Sequence, residues 1–130
     1  MIFTYLTARL RSIGHAVRGI IILIKTQPNA QLHLAASMAV FVAGYFLHLH
    51  HLEWVSVLLC MGLVWVAEAL NTALEFLADE VNQEHRELIG RAKDVAAAAV
   101  LIAAIISLLV AGVILQNHKA FQAIHHNLSG

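Results

Sequence analysis

The sequence predicts an all-α membrane protein, with three transmembrane helices preceded by an amphipathic helix on the membrane surface. Of its 130 residues, 60% are hydrophobic and 12% are charged, a composition more apolar than that of a typical soluble domain. The few charges are also unevenly placed, because the stretch 95–115 contains no Asp, Glu, Lys or Arg. The length is that of one domain. A chain with such charge-free stretches is expected to cross a lipid bilayer.

The charge balance and the cysteine content narrow the classes of function. Eight Lys and Arg residues balance eight Asp and Glu residues, so the net charge gives no indication of a nucleic-acid partner. The single cysteine, Cys60, lies in an apolar stretch and is expected to be a small core residue. One cysteine excludes an intrachain disulfide and a cysteine-based zinc site within one chain.

Residues 1–25 are expected to form the amphipathic surface helix. Leu6, Leu10, Ile13 and Val17 recur at helical spacing, and arginines occupy the other faces. Because the uninterrupted apolar run in this segment is too short to span a bilayer, we expect the helix to lie on the membrane surface. Packing of this helix against the chain's own bundle is the alternative.

The remainder of the chain is predicted to be a membrane domain followed by a short tail. Pro28 suits the first turn of a helix and marks the start of the first membrane segment. At ~1.5 Å per residue, the apolar stretches can cross a ~30 Å hydrocarbon core, the first only with its flanks. The predicted units are a membrane domain at 26–118 with spans at about 31–50, 54–79 and 94–116, and a polar, loosely ordered tail at 119–130.

Two polar connections separate the predicted spans. His48, His50 and His51 follow the first span, and we interpret them as a solvated turn because adjacent histidines cannot share a helix face to bind a metal. Residues 81–91 are expected to be a short polar connection. Basic residues before the first span and after the second predict that both regions are cytoplasmic. These residues are Arg9, Arg11, Arg18, Lys25, Arg86, Arg91 and Lys93.

The second predicted span carries a polar stripe, which is costly in a bilayer and needs a functional explanation. At ~100° per residue, its polar residues fall within roughly 60° either side of one line along the helix. Counted from Trp54 at ~1.5 Å per residue, the stripe begins inside the acyl region and ends among the headgroups. It consists of Glu68, Asn71, Thr72, Glu75 and Asp79. Such a stripe suits a substrate with a lipid end and a water-facing end.

The polar stripe, together with Lys93-Asp94 at the start of the next span, contains the residue types required for phosphoryl transfer. That reaction needs a divalent cation, a positive charge for the phosphates and a group that orients or deprotonates the attacking hydroxyl. Carboxylate oxygens suit Mg²⁺. The seven glycines form no Walker A or G-x-G-x-x-G loop, so a nucleotide site would be built from helix faces. A path for cations or protons is the alternative, because intramembrane carboxylates serve such paths too.

Two motifs follow each other in the second and third predicted spans. They are Glu68-x-Leu-Asn71-Thr72-Ala73-Leu-Glu75-x-x-x-Asp79 and Glu87-Leu-x-Gly90-Arg91-Ala92-Lys93-Asp94-x-x-x-Ala98-Ala99-Val100. Together they resemble the small prokaryotic membrane diacylglycerol kinases and undecaprenol kinases, and the likeness extends from about residue 9 to residue 115. The resemblance implies a homotrimer of three-span chains in the bacterial inner membrane, with active sites shared between subunits. It also implies transfer of the γ-phosphate of ATP to a lipid alcohol with Mg²⁺.

The resemblance implies a role for each matching residue. Glu68 matches the general base for the lipid hydroxyl, Asn71 a polar residue of the catalytic centre, and Glu75 a metal-binding carboxylate. The implied nucleotide-binding residues are Lys93, Asp94 and Asp79. Structural roles are the alternatives: interhelical hydrogen bonding for the two glutamates, solvation of a helix end for Asp79, and local charge pairing for Lys93 and Asp94.

The sequence departs from the family's pattern at three places. Gln27 stands where many members have a metal-binding Glu, so the metal site gains an amide oxygen but loses a negative charge. Ala96-Ala97 stands where relatives often have Gly-Ser or Gly-Ala, which still permits close approach of helices. Arg9 matches a nucleotide-contacting arginine only if a one-residue gap is allowed. The Asn29-x-x-x-His33 pattern is more like the undecaprenol-kinase branch.

The sequence therefore predicts an ATP- and Mg²⁺-dependent kinase acting on a membrane lipid alcohol. Diacylglycerol is the leading acceptor and an undecaprenol-type polyprenol the second. A catalytically inactive membrane scaffold of the same fold is the alternative from another class, favoured by Gln27. Three spans offer few helix faces with which to enclose the polar stripe, so self-association is expected on physical grounds as well.

Overall fold

The described part of the protein folds into α-helices. The computed structural model describes the backbone of residues 2–81 and 86–129, and the side chains of residues 4–81 and 86–118. Within these residues the all-α prediction is confirmed. The helices are α1 (Ile2–Thr26), α2 (Pro28–Phe46), α3 (His51–Val81) and α4 (Glu87–Ser129).

The turn between α2 and α3 comes earlier than the sequence predicts. α2 ends at Phe46 rather than near residue 50, because Leu47 caps the helix and His48 then adopts a positive φ of 53°. The two helices approach closely there: a Cβ atom on Gly44 would lie 2.8 Å from the indole of Trp54. Phe41 stacks on the same indole, with ring centroids 5.7 Å apart. Glycine at position 44 is therefore what permits this tight turn.

The last helix is longer at both ends than the predicted third span. The polar connection expected at 81–91 is shorter, because α4 already begins at Glu87; residues 82–85 lie outside the described residues. Glu87 suits the first turn of a helix and is bonded to Arg91, one turn later. At the other end, the tail expected to be loosely ordered is helical up to Ser129. No proline or glycine interrupts residues 113–129, so nothing there breaks the helix.

α3 lies at the centre of the fold. It packs mainly against α4 and also contacts α1 and α2. Buried apolar residues are few in the described part of the chain and include Leu23, Val57, Val64 and Ala103, whereas large apolar side chains are exposed on every helix. Among the described residues, α3 and α4 are the helices long and apolar enough to cross a membrane, and the shorter α2, of 19 residues, is not one of them. α3 thus carries the polar stripe through the middle of an otherwise apolar molecule.

Candidate active site

The polar stripe lies on one face of the continuous helix α3, and its burial decreases along the helix. Glu68 is 1% exposed, Asn71 is 6% exposed and Thr72 is 4% exposed. Glu75 is partly buried and Asp79 is exposed. The helical periodicity therefore identified the face correctly, and the stripe runs from an enclosed end at Glu68 to an open end at Asp79.

Two neighbouring members of the stripe hold each other in place. The side-chain amide of Asn71 donates a hydrogen bond to Glu75 Oε1, with an N–O distance of 3.0 Å. The two residues are four apart in a helix, so they lie one turn above the other on the same face. This bond restricts the rotamers of the Glu75 carboxylate and aligns one of its oxygens.

Three buried oxygen atoms of the stripe lack a hydrogen-bond partner within the described part of the chain. They are Glu68 Oε2, Asn71 Oδ1 and Thr72 Oγ1. A buried polar atom without a partner costs roughly 1–3 kcal/mol, and more when it is charged. Three such atoms on adjacent turns of one helix indicate a site that is completed by a substrate, by water or by another copy of the chain.

The enclosed end of the stripe faces His33 on α2. His33 Nε2 lies 3.9 Å from Glu68 Oε2. One turn further along the same pair of helices, the indole N–H of Trp65 donates to Ser37 Oγ at 3.1 Å, which fixes how α2 and α3 align. Sequence reasoning singled out His33 only as a branch marker. The antiparallel register of the α2–α3 hairpin, which would have paired it with Glu68, cannot be read from periodicity alone.

The open end of the stripe is joined to α4. Lys93 Nζ donates to Asp79 Oδ1 at 2.9 Å, so the helix that follows the stripe supplies a cation at its water-facing end. Asp94, the neighbour of Lys93, is exposed. Sequence reasoning expected Lys93-Asp94 to accompany the stripe, and the structure brings Lys93 to it. The pair is partly exposed, so its net contribution to stability is small and its charges remain available.

Two other candidate residues lie outside this network. Gln27 is the N-cap of α2 and makes no side-chain capping hydrogen bond. Arg9 lies over the ring of Tyr5 on its own helix, 4.9 Å from the ring centroid. In the described part of the chain, no hydrogen bond or ion pair joins either residue to the polar stripe.

The residues near Glu75 fit a magnesium ion that is shared with a nucleotide. Mg²⁺ usually takes one or two protein carboxylates and completes its shell with phosphate oxygens and water. Glu75 offers an aligned carboxylate, and no group of three or more His, Cys, Asp or Glu suited to a metal occurs among the described residues. Glu75 thus offers one carboxylate of the kind that Mg²⁺ shares with phosphate oxygens and water.

Apolar grooves flank the polar stripe on two sides. Asn71 lines a groove between α3 and α4, together with Leu70, Ala99 and Ile102. Thr72 lines another between α1 and α3, whose walls include Gly19, Leu23, Ala69 and Phe76. Each groove thus combines apolar walls with one residue of the stripe that has a buried oxygen without a hydrogen-bond partner among the described residues. That combination suits a molecule with a hydrocarbon part and a polar head.

A second polar cluster, which sequence reasoning missed, lies at the opposite end of α3. Glu53 Oε2 accepts the backbone N–H of His50 at 2.9 Å and lies 3.2 Å from His118 Nε2. The rings of His50 and His118 stack, with centroids 6.4 Å apart. The solvated turn that we expected at residues 48–51 is therefore anchored to α4. The sequence pattern around His118 does not indicate this contact, because His118 lies 65 residues from Glu53 and even further along the chain from His50.

Comparison with known proteins places the chain in a family. The sequence model for prokaryotic diacylglycerol kinase matches residues 14–115. An undecaprenol kinase of Bacillus subtilis (strain 168) is 39% identical over 100 residues, which cover 77% of this chain and 81% of that protein. A diacylglycerol kinase of Synechocystis sp. is 40% identical over 105 residues, covering 80% of this chain and 60% of the relative.

A third relative matches a shorter part of the chain. The diacylglycerol kinase of Escherichia coli (strain K12) is 45% identical over 56 residues, or 43% of this chain and 46% of that protein. This chain thus spans less than two thirds of either diacylglycerol kinase, but most of the undecaprenol kinase. Because the family match covers most of the sequence, including the polar stripe and Lys93-Asp94, the protein belongs to the prokaryotic diacylglycerol kinase family.

Proposed function

We propose that this protein is a membrane lipid kinase that uses ATP and Mg²⁺ to phosphorylate the hydroxyl of a lipid alcohol. Membership of the prokaryotic diacylglycerol kinase family supports the reaction class. The observation that carries the proposal for this chain is the polar stripe. It leads from the buried carboxylate of Glu68, past Asn71 and Thr72 in the walls of apolar grooves, to an exposed Lys–Asp pair. A lipid alcohol and a nucleotide could approach this stripe from its two ends.

Glu68 is proposed as the general base. It is the most deeply buried member of the stripe, and one of its oxygens has no partner among the described residues. A carboxylate in this position can accept the proton of the lipid hydroxyl as its oxygen attacks the γ-phosphorus of ATP. Asn71, whose Oδ1 is also partnerless, is proposed to help orient the reacting groups while its amide holds Glu75.

Glu75 and Gln27 are proposed as the metal-binding residues, and Lys93, Asp94, Asp79 and Arg9 as the nucleotide-binding residues. When bound, Mg²⁺ supplies charge neutralisation on the β- and γ-phosphates. Lys93 can exchange its exposed partner Asp79 for a phosphate oxygen, since a surface ion pair contributes only ~0–1 kcal/mol. Gln27 contributes an amide oxygen, so the site has one negative charge fewer than one with Glu in its place.

The proposed assembly is a homotrimer in the bacterial inner membrane, with α1 on the membrane surface and α2, α3 and α4 crossing it. The N-terminus and the α3–α4 connection are proposed to be cytoplasmic, which puts the exposed end of the stripe on the side where ATP is found. Exposed apolar side chains on the helices and partnerless polar atoms on α3 both favour contact with further copies. Such contacts would also separate Glu68 from the bulk lipid of the bilayer, while the lipid substrate enters the site.

Diacylglycerol is the first acceptor to test and undecaprenol the second. The family description and two of the relatives name diacylglycerol. The undecaprenol kinase, however, is matched over a larger share of its length than either diacylglycerol kinase. The apolar grooves beside the stripe suit the hydrocarbon part of either lipid.

An assay of ATP-dependent phosphorylation tests the proposal and the choice of acceptor. The purified protein in detergent or lipid, supplied with Mg²⁺ and either diacylglycerol or undecaprenol, is expected to phosphorylate at least one of them. The Bacillus subtilis relative, assayed alongside, shows that the conditions support turnover. If neither lipid is phosphorylated while the relative is active, the proposal is wrong; folded trimers without ATP turnover would then indicate an inactive scaffold of the same fold.

A further inference from the structure

We propose that His33 is the outlet through which Glu68 loses the proton that it takes from the lipid hydroxyl. This inference rests on the proposed kinase function, and it assigns a role to a residue outside the matching motifs. It makes His33 a positioning and proton-accepting partner of Glu68 that does not itself touch the phosphate.

The burial of Glu68 creates the need for such a partner. Its side chain is 1% exposed, so bulk water cannot reach the carboxylate directly. A base that has accepted a proton must lose it before the next turnover, and buried proton transfers proceed through groups within hydrogen-bond reach or through one bridging water. The route for this proton must therefore begin at a neighbouring titratable side chain or at an enclosed water.

His33 is placed to receive that proton. Its Nε2 lies 3.9 Å from Glu68 Oε2, the oxygen that has no hydrogen-bond partner in the described part of the chain. This separation exceeds an ordinary N–O hydrogen bond of ~2.9 Å, and a water between the two atoms or a small side-chain movement closes it. The side chain of His33 is 19% exposed, so it extends from the buried carboxylate towards the surface of α2.

The other charged groups around Glu68 do not offer the same route. On its own helix, Glu75 accepts a hydrogen bond from the side-chain amide of Asn71. On α4, Lys93 is paired with Asp79, and Arg91 is paired with Glu87 near the start of that helix. The described charged residues of α1 have exposed side chains.

The α2–α3 register keeps His33 and Glu68 opposite each other. Ser37 and Trp65 occupy the next turn of the same two helices and are joined by a hydrogen bond of 3.1 Å. Because four residues separate His33 from Ser37, both side chains lie on the face of α2 that meets α3. The contact between His33 and Glu68 is thus built into the hairpin.

The proposed reaction steps balance in atoms, electrons and protons without a further reactant. The lipid O–H bond breaks as its oxygen bonds to the γ-phosphorus, the bond from that phosphorus to the bridging oxygen breaks, and ADP leaves. The hydroxyl proton goes to the carboxylate of Glu68, then to Nε2 of a neutral His33, and from His33 to water. Glu68 is then again a carboxylate, and a new cycle can start.

Kinetics of His33→Ala with and without imidazole test the proposal. We expect kcat to fall by roughly 10²-fold, the lower end of the usual contribution of acid–base groups, while KM for ATP and lipid stays within about twofold. Because the missing group is an imidazole, added imidazole is expected to restore kcat in a saturable manner. His33→Gln, which keeps a polar side chain that cannot carry a proton, is expected to lose kcat and to respond less.

His51→Ala is the matched control, since it removes an exposed imidazole at the start of α3, away from Glu68. It is expected to retain wild-type kcat and to be insensitive to imidazole. A purely structural role for His33 would instead leave His33→Ala without rescue by imidazole, and that result overturns the proposal. A His33→Ala variant within twofold of wild-type kcat overturns it too.

Two further observations keep the outcome decisive. If the wild-type protein phosphorylates neither lipid, the proposed function fails; if it is active and His33→Ala is equally active, only the present inference fails. Should the His33 variants not fold, NMR of chains that keep His33 and carry ¹⁵N-labelled histidine serves instead. Between the wild type and Glu68→Gln, one histidine ring resonance is expected to shift, and an unchanged set of ring resonances overturns the proposal.

Discussion

Three buried polar atoms on Glu68, Asn71 and Thr72 are the clearest sign that α3 serves a purpose besides folding. Each one costs stability where an apolar side chain of similar shape would cost none. They occupy successive positions of one helix face, so the cost is concentrated and not scattered. This concentration of unpaired polar atoms supports the proposed catalytic role of the stripe.

Glu68→Gln is expected to abolish turnover. The amide has nearly the same shape but cannot accept the proton of the lipid hydroxyl, so we expect a loss of kcat of at least ~10²-fold. ATP binding, measured by fluorescence of a nucleotide analogue, is expected to change little, because the proposed nucleotide-binding residues lie at the other end of the stripe. Glu80→Gln, an exposed position on the same helix, is the control and should retain activity. Near-normal kcat in Glu68→Gln would remove Glu68 as the base.

Gln27→Glu is expected to lower the Mg²⁺ concentration required for half-maximal activity. The change adds a carboxylate at the N-terminus of α2, where the proposed metal site has an amide. Carboxylates bind Mg²⁺ more strongly than amides because they bring a full negative charge. Asn29→Asp adds the same charge two residues away on an exposed side chain and controls for a general effect of charge. Equal Mg²⁺ requirements in wild type and Gln27→Glu would mean that Gln27 is not at the metal.

At the scale of the elements, the α2–α3 hairpin is the part whose geometry tolerates least change. The close approach of Gly44 to Trp54 leaves no room for a methyl group on residue 44. The ring of Phe41, also on α2, stacks on the same indole. The same hairpin aligns Ser37 with Trp65 and His33 with Glu68. A shift at the turn is therefore transmitted to the enclosed end of the stripe.

Gly44→Ala is expected to destabilise the protein. The new Cβ would lie 2.8 Å from Trp54 Cη2 and 3.0 Å from Leu49 Cδ1, and overpacking of this kind typically costs ~1–3 kcal/mol. Thermal unfolding in detergent, followed by circular dichroism, measures the effect. Gly62→Ala is the matched control, because a Cβ there meets nothing within 4 Å and the helix gains up to ~1 kcal/mol of propensity. Equal melting temperatures for the two variants would contradict the packing at Gly44.

The sequence predicted the elements better than their ends. The helical spacing of apolar residues predicted α1, long apolar stretches predicted α2, α3 and α4, and the ~100° step identified the polar face of α3. The end of α2 was wrong by about four residues, because a left-handed residue, His48, ended the helix where the apolar pattern continued. α4 begins earlier than predicted. The polar composition of residues 81–91 predicts a connection, but Glu87 and Arg91 pair and stabilise the first turn of the helix.

The site was predictable only where its residues share one helix. Glu68, Asn71, Thr72, Glu75 and Asp79 were found together because helix geometry relates them by short spacings. Contacts between helices depend on how the helices align, which the spacing of residues within one helix does not determine. The His33–Glu68 and Glu53–His118 contacts were therefore not predicted. The Lys93–Asp79 contact was anticipated only in outline, through the motif that places Lys93 at the start of α4.

At the scale of the whole molecule, one chain leaves its polar stripe incomplete and its apolar surface exposed. Its apolar core is small, and the partnerless atoms of α3 lie beside open grooves. A trimer with active sites shared between subunits would complete both features, and this assembly is the one that we propose.

Mixed oligomers test whether active sites are shared. Glu68→Gln and Lys93→Ala chains are each expected to be inactive alone, because one lacks the base and the other lacks the phosphate-binding cation. If each site combines Glu68 of one copy with Lys93 of another, co-expression of the two variants is expected to restore part of the activity, measured by lipid phosphorylation. Differently tagged chains that co-purify but stay inactive would show that each site belongs to a single chain.

The two tryptophans give the hairpin a built-in optical readout. Trp54 is stacked on Phe41 at the turn, and Trp65 donates its indole N–H to Ser37 near the enclosed end of the stripe. Their emission therefore samples two depths of one helix pair: a stacked ring at one level and a hydrogen-bonded ring at the other. With either indole replaced by phenylalanine, fluorescence from the remaining one would follow the turn or the site separately as nucleotide and lipid are added.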